Sequence, residues 1–299
     1  MKNLLFAAAA ATAFGALAEE TAPVAAPAGD QAAAEAAETE SDSGFWAEAG
    51  VDVLSDYMWR GVILNDNWCW QPSVSVGYNT EDFGGIYFNY WASFDFTHRR
   101  NSCAGGGNSR RCMGIQEQDF YLGYTKSFGD FDFEIGWYFY DYPYNGPDHC
   151  AGSLGHDLYI GGFYNNAFVT PGVELYWSPT TQHGHEPATA YVRLSAKHDF
   201  AITDELTITP KASLGIGDTA FVQNNTGYVR DNSGMHTQMT DQTLTLKATY
   251  AVTEWCSLGA NINYTWIPSH TLRHQRYMTC GDDNHNQQVW GGVNLTFSF

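Results

Sequence analysis

The sequence predicts an all-β fold, a closed antiparallel transmembrane β-barrel of about twelve strands. Short periplasmic turns are expected at one end and long extracellular loops at the other. Three observations carry this. From Phe45 onward the chain runs in period-2 segments broken by turn residues. The connections between those segments alternate long and short. Beyond the N-terminal stretch, no apolar run approaches the roughly 18 residues that a membrane helix needs. This excludes a helical membrane protein and leaves a soluble β-sandwich as the competing fold.

Residues 1–18 read as a signal peptide. Lys2 supplies the positive start, Leu4 to Leu17 an alanine-rich apolar stretch, and Ala16-Leu17-Ala18 an A-x-A cleavage site before Glu19. The stretch is too short and small-sided for a membrane anchor. Residues 19–43 are rich in Ala, Pro and Glu, with seven acids and no basic or aromatic residue. Such a segment buries too little apolar surface to offset its ordering entropy, so it reads as a disordered acidic periplasmic segment. A helix over 32–37 is the alternative there. The barrel takes residues 44–299. Net charge is −19, of which −13 falls on the barrel, and that balance excludes nucleic acid as a partner.

The expected strands are 45–60, 69–79, 83–98, 115–126, 130–142, 156–165, 168–178, 188–200, 205–217, 240–252, 255–267 and 287–299. Alternation is cleanest near the C-terminus. Leu258, Ala260, Ile262, Tyr264 and Trp266 oppose Ser257, Gly259, Asn261, Asn263 and Thr265. In the last strand Val289, Val293, Leu295, Phe297 and Phe299 oppose Gln288, Asn294, Thr296 and Ser298, with Trp290 among the polar set.

A sandwich strand also alternates; the connections separate the two folds. Those at 61–68, 99–114, 143–155, 179–187, 218–239 and 268–286 are long. Those at 80–82, 127–129, 166–167, 201–204 and 253–254 are short. A membrane barrel has this asymmetry and a sandwich has no reason for it. Aromatics gather at strand ends as interfacial girdles do. Tyr57, Trp59, Trp137, Phe139, Trp177 and Trp266 are assigned to the outer rim, and Phe128, Phe168, Phe200 and Phe299 to the inner one. The terminal Phe297-Ser298-Phe299 resembles the C-terminal signal read by the outer-membrane insertion machinery. Outer-membrane lipid and lipopolysaccharide are the expected surroundings.

Charges face water more cheaply than lipid, so the lumen is the place for function. Alternation turns Glu48, Asp52, Asp56, Glu117, Asp119, Asp132, Glu134 and Glu174 inward from the first seven strands. It turns Arg193, Lys197, Lys211 and Lys247 inward from the next three. Opposed acidic and basic walls of this kind select charged solutes. The excess of acids predicts a weak preference for cations in simple salts. Alternatively, these residues pair and plug the barrel. Tyr87, Trp91, Tyr121, Tyr138, Tyr140 and Tyr159 form either an aromatic surface for flat rings or packing for lumen-filling loops.

Six cysteines in an exported chain suggest disulfides. Cys103 and Cys112 flank Gly105-Gly106-Gly107 and make the simplest closure. Cys69, Cys150 and Cys280 share the outer side, and Cys256 lies beside an inner turn. No C-x2-C spacing for zinc occurs. His183, His185, His270 and His274 read as solvated loop residues rather than metal ligands. No cofactor is expected. No G-x-S-x-G or H-E-x-x-H run points to an enzyme.

Three stretches carry a family resemblance. Ser55-Asp56-Tyr57-Met58-Trp59-Arg60-Gly61 resembles an S-D-Y-x-x-R-G signature. Gly85-Ile86-Tyr87 with Trp91-Ala92-Ser93 resembles a G-x-Y…W-x-S strand. Asp119-Phe120-Tyr121, Gly123-Tyr124, Gly136 and Tyr140-Asp141-Tyr142-Pro143 resemble the hairpin that follows. Together, over about residues 50–145, these resemble the TorF-like family of porin-like proteins; the cysteine-bearing insert at 99–114 departs from it. The resemblance implies a porin-like barrel and no particular solute. The expected function is an outer-membrane channel for passive diffusion of small hydrophilic solutes, weakly charge-selective. The alternatives are a structural or adhesive barrel with a blocked lumen and, third, a barrel-embedded enzyme.

Overall fold

A computed structural model describes residues 27–28, 32–33, 44–96, 115–142, 153–165, 168–179, 188–225, 236–269, 272 and 286–299. Twelve strands form the barrel: β1 (Gly44–Leu54), β2 (Cys69–Thr80), β3 (Gly84–Asp95), β4 (Ile115–Phe128), β5 (Phe131–Tyr142) and β6 (Ser153–Tyr164). They continue as β7 (Thr170–Ser178), β8 (Thr189–Lys197), β9 (Leu206–Gly217), β10 (Gln238–Thr253), β11 (Cys256–Trp266) and β12 (Gln287–Ser298). Each pairs antiparallel with its neighbours in sequence, and β12 pairs with β1 to close the ring. The seam registers Leu54 on Gly292 and Glu48 on Ser298, and Ala47 and Phe299 exchange backbone hydrogen bonds beyond it. A short strand, Phe200–Thr203, adds to the inner end of β9.

The pattern of side chains explains the closure. Outward positions carry Val74, Ile86, Phe88, Leu122, Ile135, Val173, Leu194, Leu244, Leu246, Leu258, Ile262, Val289 and Val293, all exposed. The charged residues at outward positions of the described strands are Lys126, near the inner end, and Asp141, near the outer end. A soluble monomer rarely exposes an apolar patch beyond a few hundred Å²; this one encircles the molecule. Closing the sheet inside such a belt leaves no unpaired backbone edge. Phe128, Phe168, Phe200 and Phe299 ring the inner end of the belt, while Phe139, Trp177 and Trp266 lie exposed toward the outer end.

The first expected strand, 45–60, is corrected. β1 ends at Leu54, and the chain then turns inward as a tight hairpin of Tyr57–Trp59 against Val62–Asn65. Its two-residue turn is Arg60-Gly61, both at positive φ (47° and 82°). A turn with two left-handed residues matches the twist of a hairpin, and Gly61 adopts that geometry without steric cost. Arg60 does not, so its backbone is strained. Tyr57 and Trp59 therefore leave the outer aromatic girdle: Tyr57 is 2% exposed, and Trp59 packs within the lumen core.

Of residues 1–43, only the pairs 27–28 and 32–33 are described, as a two-residue antiparallel ladder. The signal-peptide and disorder expectations otherwise fall outside the described residues. So do Cys103, Cys112, Cys150 and Cys280, the loop at 99–114, and His183, His185, His270 and His274. Cys69 and Cys256 carry free thiols.

Candidate functional site in the barrel lumen

Inside the barrel the strands from β3 to β8 and the strands from β9 to β12 build two different walls. Tyr87, Tyr121, Tyr138, Tyr140, Tyr159, Tyr176 and Tyr191 point inward from six consecutive strands and pack ring on ring. Successive centroids lie 5.3 Å apart for Tyr87–Tyr121, 4.3 Å for Tyr121–Tyr138, 5.0 Å for Tyr159–Tyr176 and 6.0 Å for Tyr176–Tyr191. Glycines make the room. Gly123 registers against Tyr87, Gly136 against Tyr159 and Gly217 against Tyr191. A Cβ on Gly136 would sit 2.1 Å from the Tyr121 hydroxyl. Alternation in the sequence already turns Tyr87, Tyr121, Tyr138, Tyr140 and Tyr159 inward; Tyr176 and Tyr191 share that parity and complete the layer.

The layer holds acids. Tyr121 donates to Glu134 Oε1 at 2.6 Å, and the Tyr87 hydroxyl donates to the same oxygen. Tyr176 and Tyr159 reach Glu174 at 3.2 and 3.5 Å. Both carboxylates are buried behind the rings.

The inturned hairpin is clamped to this wall through its strained turn. Arg60 donates to Asp157 Oδ2 at 2.8 Å in a buried ion pair. Asp157 also accepts from Tyr140 at 3.1 Å and from the Ser178 hydroxyl. The guanidinium stacks 4.1 Å from the Tyr176 ring, 4.5 Å from Trp59 and 5.1 Å from Tyr191. At the hairpin's base, Ser55 and Gln288 donate to Asp56 at 2.6 and 3.1 Å, tying it to β12.

A short helix, α1 (Thr219–Asn225), follows β9 and adds Phe221 and Val222 to the filling. Asp218 caps it, accepting from the Phe221 amide at 2.6 Å. Phe221 lies 5.2 Å from Tyr191 and 5.8 Å from Trp59, and Ile267 and Leu272 join the same buried cluster. The segment 218–239, expected to be an outer loop, thus places its first turn inside the lumen.

Between the hairpin and the opposite wall a cavity of about 60 Å³ remains. Arg60, Arg193 and Lys211 line it with Asp241 as the one carboxylate; Ser213, Thr243, Thr245, Thr265 and Asn263 supply its neutral polar groups, and Trp290 and Met58 its apolar face. Asp241 accepts from Thr240 at 2.7 Å and from Tyr191 at 3.2 Å. Thr265 pairs with Thr243 at 3.0 Å and accepts from the Trp290 indole N–H at 3.0 Å.

The residues expected in the lumen divide accordingly. Glu134 and Glu174 are buried in the tyrosine layer. Asp119 is 2% exposed, on the outer half of β4. Glu48 and Asp132 are buried near the inner end, the latter accepting from Ser127 and Asn165 at 2.6 Å each. Arg193 and Lys211 border the cavity; Asp52, Lys197 and Lys247 are part-exposed on inward positions of β1, β8 and β10. Among the described residues, no group of acids, histidines or cysteines is placed to hold a metal ion.

Among solved structures the chain is similar to the NanC porin, at 11% identity and a TM-score of 0.44, covering 85% of this chain and 98% of that one. It is similar also to the KdgM porin in complex with disordered oligogalacturonate, at 10% identity and a TM-score of 0.40 over 85% and 99%. Outer membrane phospholipase A from Escherichia coli gives 14% identity and a TM-score of 0.40 over 86% and 92%. No curated protein matches the sequence. The family described as "Bacterial protein of unknown function (Gcw_chp)" matches residues 38–273, most of the barrel and the whole inturned hairpin. The chain belongs to the Gcw_chp family.

Proposed function

We propose that the protein is a porin-like channel of the bacterial outer membrane, admitting small hydrophilic solutes by passive diffusion with weak charge selectivity. The observation that supports this reading is the contrast between the two faces of one closed sheet. The outer face is an apolar belt with two charges near its ends, and the inner face carries nearly all the strand charges around a polar cavity. The inturned hairpin and the tyrosine layer narrow the route to the side of β9 to β12. On the same reading the chain is exported by its first 18 residues and surrounded by outer-membrane lipid and lipopolysaccharide. It is then recognised for insertion through Phe299. The S-D-Y-x-x-R-G stretch, which supplies the first arm and the turn of the hairpin, supports the resemblance to the TorF-like proteins.

A second reading has its own observation. Phe221, Val222 and Leu272 are fully buried against the tyrosine layer, as packing in a blocked, structural barrel would be. Single-channel recording of the refolded protein separates the two. Stepwise current supports the channel; silence in every salt, from a protein shown to be folded, overturns it in favour of the blocked barrel.

A further inference from the structure

We propose that the lumen cavity is a binding site for a small hydroxylated carboxylate, held at its charged end by Arg193 and Lys211. The inference rests on the channel reading for its setting, since a solute reaches the site through the lumen.

The charge seen from the cavity differs from the charge counted along the strands. Alternation along the strands turns eight acids inward against four bases, and Asp157, Asp241 and the hairpin's Arg60 add to that tally, which by count favours cations. Yet the acids nearest the cavity's cations do not border it. Glu174 accepts from Tyr159 and Tyr176, Asp157 accepts from Arg60, and neither carboxylate is in the lining. Arg193 lies 3.6 Å from Glu174, its direct cross-strand neighbour. Three cations and one carboxylate line the space itself, and that carboxylate, Asp241, is already accepting from two hydroxyls. An anion would touch N–H donors directly and meet Asp241 alone among the acids of the lining, with Asp157 and Glu174 paired to the two arginines outside it. In a confined space, charge in contact outweighs charge farther off. A guanidinium also matches a carboxylate with two parallel hydrogen bonds, which a simple halide cannot use.

The rest of the lining selects what the carboxylate is attached to. Thr243, Thr245 and Thr265 line the space with hydroxyls; Thr245 donates to Asn263 at 2.6 Å and Thr243 and Thr265 share one hydrogen bond, which leaves acceptor sites and one donor proton for a C–OH group. The volume of about 60 Å³ suits a few carbons. Glycerate has the required chemistry, and glycerol is its neutral counterpart on the same carbon skeleton.

The test is titration calorimetry of the refolded full barrel with D-glycerate and with glycerol, run beside single-channel recording. Glycerate is expected to bind at least tenfold more tightly than glycerol. Arg193→Gln with Lys211→Gln is expected to weaken glycerate by roughly tenfold or more while leaving glycerol unchanged. Lys211 is part-exposed, so Lys211→Gln alone provides the measurement if the double variant fails to fold. Equal binding of the two compounds, or glycerate binding indifferent to both variants, overturns the proposal. A barrel that conducts without discriminating between them loses this site and keeps the channel. A barrel that binds glycerate and passes no current keeps the site and loses the channel.

Discussion

Replacing Arg60 by methionine is the sharpest perturbation of the lumen, because one side chain joins the hairpin to the opposite wall. The substitution keeps the length and apolar stem and removes the charge. Asp157 is left buried with only the Tyr140 and Ser178 hydroxyls. Breaking one half of a buried ion pair costs about 3–5 kcal/mol. Three rings lie 4.1, 4.5 and 5.1 Å from the guanidinium, and losing them adds about 1–2 kcal/mol in total. The strain of a non-glycine residue at φ 47° remains. About 4–7 kcal/mol is thus withdrawn from the docked hairpin, and at ~1.4 kcal/mol per tenfold its docked-to-undocked ratio falls by several powers of ten. The hairpin is a separate two-stranded sheet outside the barrel's ladder, so it loosens without the barrel unfolding. Single-channel recording should then show higher or noisier conductance than wild type. Arg60→Met with Asp157→Asn should recover much of the loss by removing the stranded charge. If Arg60→Met conducts like wild type and its hairpin resists proteolysis equally, the clamp is not what holds the constriction.

Other expectations follow from single contacts. Leu246→Arg, midway along the outer face of β10, should cost about 2–4 kcal/mol in lipid, while Thr249→Arg, on the lumen face of the same strand and outside the cavity, should be tolerated; equal costs in a bilayer folding titration would contradict the membrane assignment. Gly136→Ala drives a methyl into the Tyr121 ring, 2.1 Å from its hydroxyl, and should cost about 1–3 kcal/mol as overpacking does, measured by urea titration in micelles. Peptide mapping without reductant should find Cys103 joined to Cys112 and free thiols at Cys69 and Cys256; a link from Cys256 to any outer cysteine would contradict the strand order.

The barrel was legible because lipid outside and water inside impose the same two-residue rhythm on every strand, and because turn and loop lengths report which end is which. Strand ends such as Leu54 and Ser178 were harder. The hairpin at 57–65 was misread since Tyr57-Met58-Trp59 alternates like a strand and offers aromatics where a girdle is expected. Its real signal was Arg60-Gly61 set between two apolar triplets, a two-residue turn that begins six residues after the strand end at Leu54. The inward direction of Glu134, Arg193 and Lys211 followed from parity alone. What each one meets did not. Arg60 and Asp157 are 97 residues apart, and their contact exists only once the ring has closed. The α1 helix was equally hidden, because its 7 residues are too few to show a period; the cap at Asp218 followed by Phe221-Val222 was its only trace.

The seam between β12 and β1 has a consequence for how the molecule is made. Its ladder joins residues 292–298 to 48–54, the longest separation along the chain of any pairing in the sheet. Until the final residues arrive, both borders of the growing sheet are open, and in hydrocarbon each unmated amide or carbonyl carries a penalty of several kcal/mol. A partly synthesised chain therefore has no stable resting place in the bilayer by itself. Acquisition of the barrel is a late, single event whose commitment step is written in the last strand, so truncating even a few residues behind Asn294 should abolish insertion rather than yield a slightly weaker barrel.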